Sequence, residues 1–202
     1  MIKLVYKELI FGEETMITRE FAIELLEKYN KSRSLVTHGL SVEAAMRYFA
    51  RQNGEDETYW GIVGLLHDLD YEMYPEQHCV KAEELLLNAG VDSDIIHAVV
   101  SHGWKICTDV EPTRYMEKVL YTIDELTGLI TAGVLMRPTK SIMDLEVKSV
   151  KKKFKTASFA AGVNREVILE GCEMIGMDLD TVMLWTIEGM KEAAAEIGLA
   201  GV

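Results

Sequence analysis

Cysteine is scarce in this sequence and poorly placed to staple a fold. Cys79, Cys107 and Cys172 are an odd number at wide spacing, with no CxxC pair. That argues against a disulfide frame and reads as reduced thiols in a cytoplasmic protein. Long apolar runs are missing as well. None approaches the roughly 20 residues that a bilayer span needs. The opening MIKLVYKELIFGEE meets acids too soon for the apolar segment of a secretory signal. No membrane partner is expected. Positive charge is also short: 21 Lys and Arg face 33 Asp and Glu, for a net charge of −12. General nucleic-acid binding wants a basic face, so it is not expected either.

Strand patterning is missing beyond the N-terminus. The opening residues alternate loosely, so 1–16 are expected to form a strand-like or disordered extension ahead of one domain over 17–202. Proline is nearly absent, and Pro75, Pro112 and Pro138 act as helix punctuation. What remains is helical spacing. The 202 residues, 49% of them hydrophobic, can bury one good core. Thr18 is placed to cap a helix carrying Phe21, Ile23, Leu25 and Leu26. A second helix runs from about Ser34 to Gln52 and stops at Asn53-Gly54. A third starts near Asp56 and ends in GLLHDLDYE, residues 64–72. Pro75 opens a fourth, closed by Gly90, and Asp92 caps a fifth that ends at His102. Pro112 opens a long helix to about Ala132, short helices cover 140 to 153, and Asn164 and Asp178 cap the last two. The fold class expected is all-α, with about eight to ten helices.

Some polar residues do not fit this core. His67 and Asp68 sit where a buried helix end would prefer leucines. Neighbours on a helix point about 100° apart, so both reach one ion only if it lies off the helix end. The turn that begins at Asp70 allows that. An unpaired buried carboxylate is costly, and a divalent cation removes the cost. A structural His–Asp hydrogen bond is the plain alternative. Asp124, in LYTIDELTGLI, and His38, between Val36 and Leu40, repeat the anomaly on two further helices.

A His, a later His-Asp doublet and a still later Asp resemble the HD superfamily of metal-dependent phosphohydrolases. Here the elements read THGLSVEAAMR, LLHDLDYE and YTIDELTGL. The resemblance covers about 17 to 197 and is nearest to small bacterial HDIG-type proteins. It implies His38, His67, Asp68 and Asp124 as ligands of one divalent transition metal. Binuclear members have two more histidines between doublet and last Asp, and His78 and His102 stand in those places, implying a second ion. The pattern is similar to dinucleoside-polyphosphate hydrolases and to HD-GYP phosphodiesterases. Asp70 and Tyr71 replace the last two residues of HDIGK, and no GYP follows His102, so cyclic di-GMP is set aside. His97 matches no ligand position and is taken as structural.

In such sites a metal lowers the pKa of water toward about 7, and a second metal roughly 3.5–4 Å away balances charge on the phosphoryl oxygens. Asp68 is the natural bridge, and His67, Asp68 and Asp124 the catalytic set. Mixed His and Asp ligands suit Mn, Fe, Co, Ni or Zn better than Mg or Ca. One segment, 137–155, is basic: seven Lys and Arg against two acids, leaving −17 for the rest of the chain. Arg137, Lys148 and Lys152 are the residues there expected to hold substrate phosphates, with a solvated helix face as the alternative. The expected activity is hydrolysis of a small phosphate ester or anhydride, a nucleotide first. A non-catalytic metal-binding module that senses a phosphorylated ligand is the competing reading. The oligomeric state has no signal in the sequence.

Overall fold

The computed structural model describes residues 17–201. The expected extension over 1–16 lies outside the described residues. Nine α-helices occur among the described residues: α1 (Arg19–Tyr29), α2 (Arg33–Asn53), α3 (Glu57–Leu66), α4 (Val80–Asn88), α5 (Ser93–Ser101), α6 (Tyr115–Leu135), α7 (Val147–Phe154), α8 (Arg165–Ile175) and α9 (Leu179–Glu192). No strand is found there, only isolated bridges from Trp104 to Thr108 and from Ser141 to Ala200. The protein is all-α. None of the described helices is long and apolar enough to cross a membrane.

Most helix starts follow from side-chain capping. Thr18, Asp56, Asp92, Asn164 and Asp178 each accept a backbone N–H of the first turn of the helix they precede. Gly54 ends α2 in the left-handed conformation at φ 72°.

Three boundaries depart from the sequence expectation. Pro75 opens only a 3-10 turn, Pro75–Gln77, and Cys79 at φ 68° separates it from α4. Residues 140–146 hold no helix, so 140–153 carries α7 alone. The long helix begins at Tyr115 rather than at Pro112 because Glu117 reaches back. Its carboxylate accepts the backbone N–H of Thr113 at 2.7 Å and of Arg114 at 3.0 Å, which keeps that entry extended. Glu117 also accepts from the Arg114 guanidinium and faces His97 Nδ1 at 2.9 Å. Burial alone would raise its pKa, but the Arg114 backbone and guanidinium, then Thr113 and His97, outweigh it and hold the carboxyl at about 2.

The core is built around α2, which packs on α1, α3, α6 and α9. Val42, Ala45, Met46 and Phe49 of α2 meet Leu65 and Leu66 of α3 and Leu120, Ile123 and Leu126 of α6 in one buried cluster. The α2–α3 approach depends on a glycine. A Cβ on Gly64 would stand 2.9 Å from Met46 Cγ and 3.1 Å from two α2 backbone atoms, Glu43 N and Val42 C. Backbone atoms inside a packed helix cannot step aside, so this contact sets the depth at which α3 delivers its end. Gly64→Ala is expected to lower stability by about 2 kcal/mol through overpacking. Chemical denaturation checks this, and an unchanged midpoint would contradict the fixed spacing.

Candidate metal centre

Five chain segments end at, or pass, one point. His38 comes from the second turn of α2, and Asp124 from the middle of α6. His67 is the C-cap of α3 and Asp68 follows it in the turn; His102 is the C-cap of α5. His78 lies between the 3-10 turn and α4. Helix ends suit the purpose because the chain can aim a side chain along the axis, which a mid-helix position cannot.

Asp68 is the centre of the arrangement. Its Oδ2 faces His67 Nε2 at 3.4 Å and His38 Nε2 at 3.7 Å; its Oδ1 faces His78 Nε2 at 3.4 Å and His102 Nε2 at 3.6 Å. Asp124 Oδ1 closes the first group, 2.9 Å from His38 Nε2 and 3.3 Å from His67 Nε2. Within each pair the imidazoles approach Nε2 to Nε2, at 3.2 Å for His38–His67 and 3.1 Å for His78–His102.

The far sides of the rings decide what those nitrogens carry. His67 Nδ1 is 2.7 Å from the carbonyl of Gly64, and His102 Nδ1 is 2.5 Å from that of Val99. A carbonyl can only accept, so both Nδ1 atoms donate, and in the neutral ring the Nε2 lone pair points inward. His78 Nδ1 donates to Asp70 Oδ1 at 2.8 Å. The Thr127 hydroxyl donates to the Asp124 carbonyl, leaving its oxygen 3.5 Å from His38 Nδ1 as an acceptor. Two inward lone pairs 3.1–3.2 Å apart, each beside a carboxylate oxygen, repel unless a positive charge sits among them.

That charge can be a metal ion. Ligand atoms about 2.0–2.2 Å from one ion in tetrahedral or octahedral array lie roughly 2.9–3.6 Å from one another. The observed separations, 2.9–3.7 Å, match. His38, His67 and Asp68 form one grouping able to hold an ion; His67, His102 and Asp124 form another, and His78, Cys79 and His102 a third. In the second half of the centre, facing Asp68 Oδ1, His78 and His102 both line the cleft.

The charge can also be a proton. Burial works against a charged His67, but Asp68 and then Asp124 outweigh it and raise its pKa well above 6.5. Burial likewise opposes ionised Asp68 and Asp124; His67 leads the neighbours that pull both well below 3.8. His78 is raised despite burial because Asp70 accepts from it. Glu125, beside Asp124, is raised by burial and by that neighbouring charge.

A cleft of about 340 Å³ opens over the centre. Its lining includes His38, Asp68, Tyr71, His78, His102 and Asp124, while His67 is wholly buried behind them. Ligand pockets start at roughly 300 Å³, so this one is large enough for a small molecule.

All six residues expected as ligands are therefore brought together. His97 is not among them; it bonds Glu117, as a structural residue would. The three basic residues expected at the mouth are not brought there. Arg137 pairs with Asp144, Lys148 with Glu146, and Lys152 faces solvent; none lines the cleft.

Asp70 is the residue that sequence reasoning missed. Its fully buried carboxylate bonds His78 Nδ1 and also accepts Ala82 N–H at 2.8 Å. Ala82 is in the first turn of α4, whose N-cap, Cys79, offers no side-chain acceptor. Asp70 thus caps α4 and orients His78 at once. The available signal was a helix start without a capping residue, preceded by a carboxylate in need of a donor.

Cys79 and Cys107 meet at 3.3 Å beside this half of the centre, over Gly103. Compared with family models, curated proteins and solved structures, the chain finds no match.

Proton and metal compete for the same nitrogens, which sets the pH dependence. In metal-free protein the raised His67 contributes stability that is fully present below its unfolded pKa, about 6.5, and is lost as pH rises through the folded value. The depressed Asp68 and Asp124 contribute above about 4 and lose their contribution as pH falls. The stabilisation by added Zn or Mn is expected to grow from pH 5 to 8 as the competing proton leaves. Melting temperatures with and without metal across that range check this, and a pH-independent increment would contradict it.

Proposed function

We propose that the protein is a metal-dependent phosphohydrolase of the HD type, acting on a small phosphate ester or anhydride, with a nucleotide as the first candidate. The observation that carries this reading is one carboxylate, Asp68, shared between two imidazole pairs on the floor of an open cleft. His38, His67, Asp68 and Asp124 would hold one ion, and Asp68, His78 and His102 a second. Ions bound there supply an activated water near neutral pH and neutralise phosphoryl charge.

The chain's own residues have narrower tasks. Asp68 ties the two halves together, so a shift in one is felt by the other. The carbonyls of Gly64 and Val99 and the carboxylate of Asp70 fix the tautomers of His67, His102 and His78. The wholly buried His67 lies behind the cleft lining, so approach is from the cleft. Among the described residues the cleft lining carries no Lys or Arg. Charge compensation for a phosphate there falls to the ions, which supports a metal-centred reaction over a lysine- or arginine-centred one. The ligand set, of His and Asp with oxygen- and nitrogen-donor character, suits Mn, Fe, Co, Ni or Zn.

A screen of mono- and dinucleotides with Mn, Co, Ni and Fe is expected to find turnover. Asp68→Asn should abolish it while leaving the helical spectrum intact. Asp70→Asn should reduce metal affinity or turnover by about 10- to 100-fold, because it loosens His78 without removing a ligand. Turnover that survives Asp68→Asn unchanged would place the reaction elsewhere.

A further inference from the structure

A second cavity, of about 520 Å³, opens beside the metal cleft, and the two share His38 and Gly128. It runs between the start of α2 and the C-terminal half of α6, closed by residues 197–199. Its walls are mostly apolar, with Gly128, Ala132 and Leu135 as one stripe of α6.

Gly128 stands at the junction. Glycine is the poorest helix former after proline, so one inside a helix calls for a reason. The backbone does not require it, since Gly128 is not among the residues with positive φ. Packing does not require it either: a Cβ there would meet nothing within 4 Å. Gly64, by contrast, is pressed against a neighbouring helix. The space over Gly128 is a passage from the metal centre into the groove.

Arg33 stands toward the other end. Arg19, Arg51, Arg114 and Arg137 each have a carboxylate partner; Arg33, like Arg47 and Arg165, has none among the described residues, and of these three only Arg33 lines this cavity. Its guanidinium lies near the 197–199 wall, with Nη2 4.0 Å from where a Cβ on Gly198 would be. It stands five positions before His38 on α2, about 7.5 Å along the axis.

We propose that this groove holds the organic part of the substrate, which carries a phosphoryl group at one end and a second anionic group at the other. The phosphoryl end lies at the metal centre, a flat or apolar body lies over Gly128 and Ala132, and Arg33 binds the distal anion. The proposal rests on the phosphohydrolase reading and narrows its substrate class. A single phosphate on a plain alcohol would leave both the groove and Arg33 unused.

Binding of non-hydrolysable probes to the Mn-loaded full chain tests this by calorimetry, with metal content measured for every variant. Methylphosphonate reports the metal end, benzylphosphonate adds the ring, and para-carboxybenzylphosphonate adds the distal acid. Burying the ring should tighten binding by about tenfold over methylphosphonate. The carboxylate should add about fivefold, as a partly exposed ion pair does. Arg33→Ala should erase the carboxylate step and keep the ring step, and Arg33→Lys should recover part of it. Gly128→Leu, which fills the passage, should erase the ring step. Equal affinities for the three probes in wild type would overturn the groove while leaving the metal site standing. So would an Arg33→Ala effect of equal size on all three. If metal loads normally and methylphosphonate does not bind, the phosphohydrolase reading itself fails.

Discussion

Four imidazole nitrogens aimed at the two oxygens of one carboxylate are the constraint on which this structure is organised. Such a cluster is unfavourable in itself. Lone pairs 3.1–3.2 Å apart repel, and Asp68 and Asp124 add negative charge in a partly enclosed space. The fold resists that repulsion by fixing each ring from behind. His67 and His102 are tied to carbonyls three residues earlier in their own helices, so the ends of α3 and α5 double as ring clamps. The contact of Gly64 against α2 then sets how close the first pair can come. A cation, whether proton or metal, converts the cluster from a strain into a cross-link among α2, α3, α5 and α6.

The second half of the centre is held less by regular structure than by a local compromise. His78 belongs to no helix. It is placed by the φ 68° turn at Cys79 and by Asp70, which caps α4 with one oxygen and orients the ring with the other. The Cys79–Cys107 contact packs against bare Gly103, directly after His102. Stability of α4 and geometry of the candidate centre are therefore one problem: what frees Asp70 frays the helix and tilts His78 together.

Charge is distributed against intuition. The protein is acidic overall and has one basic segment, yet that segment is not at the cleft. Arg137, Lys148 and Lys151 are satisfied by Asp144, Glu146 and Asp180 close by. Lys151, Lys152 and Lys153 are successive residues of α7 and point about 100° apart, so they cannot act as one patch. A cation that lines the neighbouring cavity without a carboxylate partner among the described residues is Arg33, a single residue with no run around it. Clustering in sequence measures composition, whereas recognition depends on which side chain is left unpaired next to a cavity.

Helix identity was legible in the chain because it is a local property. Apolar spacing and single capping residues such as Thr18, Asp56, Asp92, Asn164 and Asp178 act within one turn. His38, His67, Asp68 and Asp124 were legible because a His or Asp among apolar neighbours conflicts with burial, and the conflict shows before folding; His78 and His102 were expected only from the resemblance to HD proteins. What that reading missed was set by side chains that reach back over a helix boundary or across the fold. Glu117 delays α6 by reaching back to Thr113 and Arg114. Asp70 acquires its role from a histidine and a backbone amide eight and twelve residues away. Gly64 and Gly128 look alike as letters, yet one faces a packed helix and the other open space. The sequence by itself determined which helices form and which side chains resist burial. Only the tertiary structure decided which of those side chains meet and which basic side chain stands beside a cavity without a carboxylate partner among the described residues, because a contact between distant segments is a property of packing and not of any one stretch of chain.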